Sequence, residues 1–160
     1  MGLVKSIRLF IILSILAVSG CSSFSSGPEK ATIKFSAGTN INPDEDQRSS
    51  PLVINVLFLA DSRQFEREDF INLFDNPGSR LGADLIKKIR IKELIPGEKR
   101  TEVFDLTEPV KYIGLVAEFS QYHRAKTLML IPIDDGSNEF SVSIDELKLT
   151  SPNEYKRKDD

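Results

Sequence analysis

The chain has 160 residues, with 21 Lys and Arg against 24 Asp and Glu, a net charge of −3, one cysteine, one histidine and no tryptophan. That length holds one domain of ordinary size. The acidic balance gives no general pull toward nucleic acid or anionic lipid, and a lone cysteine excludes an internal disulfide, so the fold must rest on its hydrophobic core.

Residues 1–20 stand apart from the rest. Lys5 and Arg8, with no acid nearby, precede an apolar run over residues 9–18. A positive stretch followed by a short apolar one is the layout of a secretory signal peptide. A membrane-spanning helix needs about 20 predominantly apolar residues, so this run is the wrong length for one. The signal ends in Val18-Ser19-Gly20-Cys21. This tetrapeptide resembles the lipobox of bacterial lipoproteins. The resemblance implies cleavage before Cys21 and acylation of its thiol and of the new amino terminus. The blander reading is an ordinary signal with a chance cysteine beside it. Cys21 is the only cysteine and stands where the lipobox requires it, which favours lipid attachment at Cys21. The opening Met1-Gly2 through Ser6 also fits an N-myristoylation pattern, but that pattern explains neither the apolar run nor Cys21. Ser22 follows the cysteine, where Asp commonly retains a lipoprotein in the inner membrane. Its absence implies passage to the outer membrane. Loss of Lys5 and Arg8 with the signal leaves 19 basic against 24 acidic residues, a charge of −5. Lipid, rather than surface charge, must then do the membrane work.

Residues 21–30, rich in Ser with Gly27 and Pro28, read as a flexible tether. Residues 31–150 read as the folded domain. Ile33 and Phe35 alternate with Thr32 and Lys34, a half-buried strand. Residues 38–50 carry Gly, Asn, Pro and charge and form a long exposed loop. Residues 52–59 are almost continuously apolar, as in a strand buried on both faces. Phe65, Phe70 and Phe74 then fall near helical spacing. The pattern predicts one helix over residues 66–74, with Asp61 or Ser62 as its cap and Asn76-Pro77-Gly78 as its stop. Strands return at Ile86, Ile89 and Ile91, ending at the Pro96-Gly97 turn. Further strands follow over residues 103–107, 112–119 and 127–133. Gly114, inside the second of these, marks a bulge or a close backbone approach. Residues 134–138, Asp-Asp-Gly-Ser-Asn, make a hairpin turn, after which Phe140, Val142 and Ile144 alternate and Leu147 and Leu149 extend the same edge. Residues 151–160 read as a charged, disordered tail. About eight short strands with one helical insertion predict an all-β fold, a two-sheet antiparallel β-sandwich.

The chain offers little chemistry. His123 has no second histidine or free cysteine to share a metal with, and no nucleophile elbow, P-loop or dinucleotide fingerprint occurs. Asp44-Glu45-Asp46 and Asp134-Asp135 would suit calcium only if the fold brought them together, and solvated loop charge is the simpler reading. The Phe65, Phe70 and Phe74 stripe is a docking face or, more simply, the packing face of a helix. No enzyme activity, metal or cofactor is expected.

Several segments together resemble the type VI secretion lipoprotein family, TssJ. They are Asn42-Pro43, the apolar strand with Leu59-Ala60-Asp61-Ser62 after it, Asp69-Phe70, Leu81 through Leu85, Leu94 through Glu98, and Tyr112 through Phe119. The chain departs from the family's pattern at Ser120, where a basic residue is common, and in lacking Trp. The resemblance implies a sandwich similar to transthyretin or a C2 domain, with a small helical addition. It implies a lipoprotein on the periplasmic face of the outer membrane that binds the periplasmic C-terminal domain of the inner-membrane component TssM. It also points to the loop between the first two strands as the partner contact, here Asn42, Pro43, Asp44, Glu45, Asp46, Gln47 and Arg48. The alternatives are a lipid-anchored binding module for a small ligand, ion or cell-wall polymer, or an enzyme built on paired carboxylates.

Overall fold

The structure, a computed structural model, describes residues 29–133 and 138–156. The signal peptide, Cys21 and most of the expected hairpin turn at 134–138 lie outside the described residues. The strands are β1 (Lys30–Ala37), β2 (Ile54–Leu59), β3 (Leu85–Arg90), β4 (Lys99–Asp105), β5 (Tyr112–Ala117), β6 (Leu128–Pro132), β7 (Glu139–Asp145) and β8 (Lys148–Thr150). They form two four-stranded sheets, ordered β4-β1-β7-β8 and β3-β2-β5-β6. The expected two-sheet β-sandwich is the fold.

One pair departs from a purely antiparallel plan: β1 and β7 run parallel, with Ile33 opposite Phe140 and Phe35 opposite Val142. A parallel pair needs a long crossover, and here nearly the whole domain lies between the two strands.

Alternation explains the core. In β1, Ala31, Ile33, Phe35 and Ala37 are buried, and in β7 so are Phe140, Val142 and Ile144. These face Ile54, Val56, Phe58, Ile113 and Leu115 of the second sheet. β2 is buried at all six positions, because its other face is also covered. There Leu57, Leu59, Val116 and Leu130 pack under Phe65, Leu73 and Leu81. Each lid side chain withdrawn from water contributes about 2 kcal/mol before entropy is counted.

The lid is not the single helix that the Phe spacing predicts. Phe65–Arg67 is one 3-10 turn, and Glu68 is extended at φ −92°, ψ 153°. Helix α1 (Phe70–Asp75) starts afresh, capped by Asp69, whose carboxylate accepts from the Asn72 N–H. Neither Asp61 nor Ser62 caps it. Asn76 then caps a second helix, α2 (Pro77–Leu81), by accepting from the Ser79 N–H. Pro in a first turn lacks only an N–H that would have no intrahelical partner, so Asn-Pro restarts a helix where it was expected to stop one. The C-terminal segment also differs from expectation. The Tyr155 N–H donates to the Leu130 carbonyl, the Tyr155 ring meets Tyr112 edge-on at 6.0 Å, and Glu154 pairs with Lys126 at 2.6 Å. Tyr155 thus meets the β6 edge, whose backbone groups need partners, while Ser151 and Asn153 bond to Ser141 of β7. Leu149 does not prolong β7 either. The chain reverses at Glu146 (φ 47°), and β8 pairs back on β7.

Gly114 proves to be a close approach. A Cβ there would lie 2.6 Å from Phe65 Cε2. Gly114→Ala should push the Phe65 ring off the sheet and destabilise the domain by about 2 kcal/mol, read as a lower denaturant midpoint at an unchanged m-value.

The strands give the sandwich two distinct ends. Glu29 enters beside Leu106, whose N–H donates to the Glu29 carbonyl. β1 then crosses the whole domain, about 25 Å at strand rise, before the long loop opens past Ala37. At that far end Gly38 accepts from Gly97 and donates to Ile144, and the Asn42 N–H donates to Glu146.

Candidate functional site

The loop expected to meet a partner is a clamped structure. Asn42, at φ 48°, is buried at 3% exposure. Its amide donates to the Pro51 carbonyl at 2.9 Å and its side-chain oxygen accepts from the Ser120 N–H at 2.7 Å. The Ser50 hydroxyl donates to the Asn42 carbonyl. A second clamp comes from Gln121, whose amide donates to the carbonyls of Pro43 (2.9 Å) and Asp44 (3.1 Å). Burying Asn42 and Gln121 is tolerated because these side-chain amides pair with polar groups.

The loop is also tied to itself. Asp44 accepts from the N–H groups of Asp46 and Arg48 and from the Arg48 guanidinium, each near 2.9 Å. Arg48 reaches Asp46 as well, at 2.9 Å. The Arg48 N–H, then the Arg48 guanidinium, hold the Asp44 carboxyl below its ordinary value of 3.8. A carboxylate with a lowered folded pKa contributes stability above its ordinary pKa and loses it as pH falls through the lowered one. The Arg48 amide should thus keep its exchange protection, after correction for intrinsic rate, from pH 7 to about 4.5. It should lose it in stronger acid, ahead of the core strands. Loss of that protection between pH 7 and 5 would contradict the Asp44 tie.

The seven expected contact residues therefore divide. Asn42 and Pro43 are buried and act as anchors, Asp44 is half-buried and holds the loop's shape, and Glu45, Asp46, Gln47 and Arg48 face solvent. A shallow groove beside them is lined by Ser120, Gln121, His123 and Arg124. His123 is exposed in the 3-10 turn Tyr122–Arg124. Among the described residues no three His, Cys, Asp or Glu side chains gather as metal ligands. Asp134 and Asp135 lie outside those residues. Asn138, which follows them, bonds to Thr32 at the opposite end from Asp44.

Two features carry no signal in the sequence. Nothing in the residues around Gln121 marks it as a clamp. The Phe stripe was read as packing, and only Phe65 is fully buried. Phe70 stacks on Phe74 at 5.5 Å and on Tyr122 at 5.1 Å. Phe74, Ile71 and Tyr122 are 47%, 46% and 42% exposed.

The profile of a family described as "Type VI secretion lipoprotein, VasD, EvfM, TssJ" matches residues 29–147. No curated protein matches the chain. Among solved structures, the T6SS lipoprotein TssJ1 from Pseudomonas aeruginosa is 24% identical over 81% of this chain and 98% of its own, with a TM-score of 0.73. The Serratia marcescens Lip, titled a membrane-bound component of the type VI secretion system, is 20% identical over 79% and 99%, at 0.71. A chain of the structure titled "T6SS protein TssM C-terminal domain (869-1107) from EAEC" is 18% identical over 76% and 96%, at 0.65. These likenesses bear on the fold.

Proposed function

Because the chain belongs to the type VI secretion lipoprotein family, we propose that it is a lipid-anchored structural component of that system's trans-envelope complex. Acyl chains on Cys21 hold it on the periplasmic face of the outer membrane, after removal of residues 1–20. The segment from Cys21 up to Glu29 acts as the tether, two residues shorter than the sequence suggested because Glu29 and Lys30 are held in the β1–β4 pairing, and the domain works by holding another protein, without catalysis. Its partner is the periplasmic C-terminal domain of TssM, and the exposed part of the loop, Glu45 through Arg48, takes part in docking.

The observation that carries this reading is the polarity of the sandwich. The chain arrives from Cys21 at the Glu29 end, and β1 opens the clamped loop at the other end. A lipid at one end and a pre-formed loop at the other suit a bridge between membrane and partner. Pre-ordering by Asn42, Gln121 and Asp44 lowers the entropy lost on binding. The mixed charge suits steering and specificity.

The test replaces Glu45, Asp46 and Gln47 with glycine and leaves Asp44 and Arg48 in place. Calorimetry with the purified TssM periplasmic domain should give a Kd weakened by about tenfold, or 1.4 kcal/mol. An unchanged Kd rejects the loop. A wild-type domain that does not bind rejects the partner.

A further inference from the structure

Strand β3 (Leu85–Arg90) ends its sheet, and its outer edge pairs with no other strand. The Ile91 N–H donates to the Ile54 carbonyl. By alternation Ile89 also bonds inward to β2, while Lys88 and Arg90 turn their N–H and C=O groups outward. Those four groups are a template for an added strand. The edge is also basic. Residues 85–92 hold Lys87, Lys88, Arg90 and Lys92 and no acid, in a chain whose charge after residue 20 is −5.

Neighbouring acids do not cancel this run. β2 beside it carries no charged residue. Glu118 is shared between Arg90 at 3.3 Å and Asn55 at 2.7 Å. Glu98, near Lys92, is already bound by Arg100 at 2.6 Å. Asp84 and Glu93 stand beyond the two ends of the run, and exposed Arg80, at the close of α2, adds a cation beside it. Lys87 lies 6.0 Å over the Phe58 ring, and Lys87, Lys88 and Lys92 form no ion pair among the described residues.

Lysine on an edge strand can serve only to deter pairing. β4 argues against that role here. It ends the other sheet with a longer edge of seven residues, and its Val103 is 56% exposed. Its charges are nevertheless of both signs, Lys99 and Arg100 with Glu102 and Asp105. A guard would be needed there first, yet the unbroken run of cations stands on the shorter strand.

We infer that the β3 edge is a strand-addition site for an extended acidic segment of another protein. Lys88 and Arg90 share the face of β3 that lies toward the lid, where Lys88 stands opposite Leu57, and Ile89 between them lies opposite Val56 on the core side. The matching segment therefore carries two carboxylates two positions apart, with an apolar residue between them. Main-chain hydrogen bonds supply affinity, and the carboxylates supply the choice of segment. No residue of this edge belongs to the loop at 42–48, so the two readings stand or fall separately.

The test titrates the chain from residue 21, carrying Cys21→Ser, with the blocked peptide Thr-Val-Glu-Val-Glu-Val-Thr and with its Lys-for-Glu counterpart, followed by amide NMR. The acidic peptide should shift the Lys88 and Arg90 amides most, with a Kd of about 1 mM or tighter, and the basic one should shift neither. Lys88→Glu removes an unpaired, exposed cation, so it should melt like wild type and weaken the acidic peptide about tenfold. Salt at about 0.5 M should weaken it severalfold. Equal shifts from both peptides, shifts centred on another strand, or no shifts at all overturn the inference. A Lys88→Ser chain that dimerises in sedimentation, while the native chain ignores the acidic peptide, makes the cations a guard and overturns it as well.

Discussion

Exported behind a cleavable signal that lacks the lipobox, and carrying Cys21→Ser, the protein should fractionate entirely with soluble periplasm and melt like the native domain. The reasoning is additive. Burying acyl chains is worth about 0.8 kcal/mol per CH₂; one chain holds marginally and several hold stably. The chain after residue 20 has a net charge of −5, and no described helix is long and apolar enough to cross a membrane. The substituted signal matters, because an uncleaved native one would itself hold the protein at the inner membrane. From Cys21 to Glu29 is eight residues, a reach of at most about 30 Å, so loss of the lipid should also abolish complex assembly near the membrane. If the variant still sediments with washed membranes, anchoring at Cys21 is wrong.

The second large effect is expected at Asn42, which is buried beneath the loop. Asn42→Ala leaves the Ser120 N–H and the Pro51 carbonyl without their bonds at a site 3% exposed. Pro51 and Ser120 are themselves exposed, so each stranded group costs about 1 kcal/mol, the low end for a lost partner. Alanine at φ 48° adds about 1 kcal/mol, since Asn tolerates the left-handed region and Ala does not. A total near 3 kcal/mol should lower Tm by about 10 °C for a domain of this size. Partner affinity should fall too, because Glu45 through Arg48 lose the frame that orders them. Asn42→Asp keeps the acceptor for Ser120 and a tolerant backbone, but turns a carboxylate oxygen onto the Pro51 carbonyl in place of the amide donor. At neutral pH it should destabilise about as much as Asn42→Ala. If both variants melt like wild type, the clamp has no role in holding the loop.

Much of the fold was legible. The alternation of Ile33 with Phe35, and of Phe140, Val142 and Ile144, marked strands with one wet face. The unbroken apolar run of β2 marked burial on both faces, and Gly114 marked a bulge or a close approach, of which the structure has the second. What misled was local ambiguity. Phe65, Phe70 and Phe74 fit one helix by spacing, but Glu68 and Asp69 break it, because Phe65 must drop onto Gly114 while Asp69 caps α1. Asn76-Pro77 can end a helix or begin one. The parallel pairing of β1 with β7 has no signature in either strand.

The candidate site was legible as a place more than as a mechanism. Residues 42–48 could be read as a loop from Pro, Asn and charge. Its division into buried anchors and exposed contacts could not. The clamps join Asn42 to Ser120 and Pro43 to Gln121, 78 positions apart in each case.

The sequence by itself argues for export, for Cys21 as anchor, and for most of the strands, because each is written in adjacent residues: a short apolar run, a tetrapeptide, a period of two. Only the tertiary structure decided which loop residues face water, that Gln121 holds them, and that Tyr122 extends the Phe70–Phe74 stack. Those are meetings between distant segments. They depend on how two sheets and a lid close on one another, which no local pattern records.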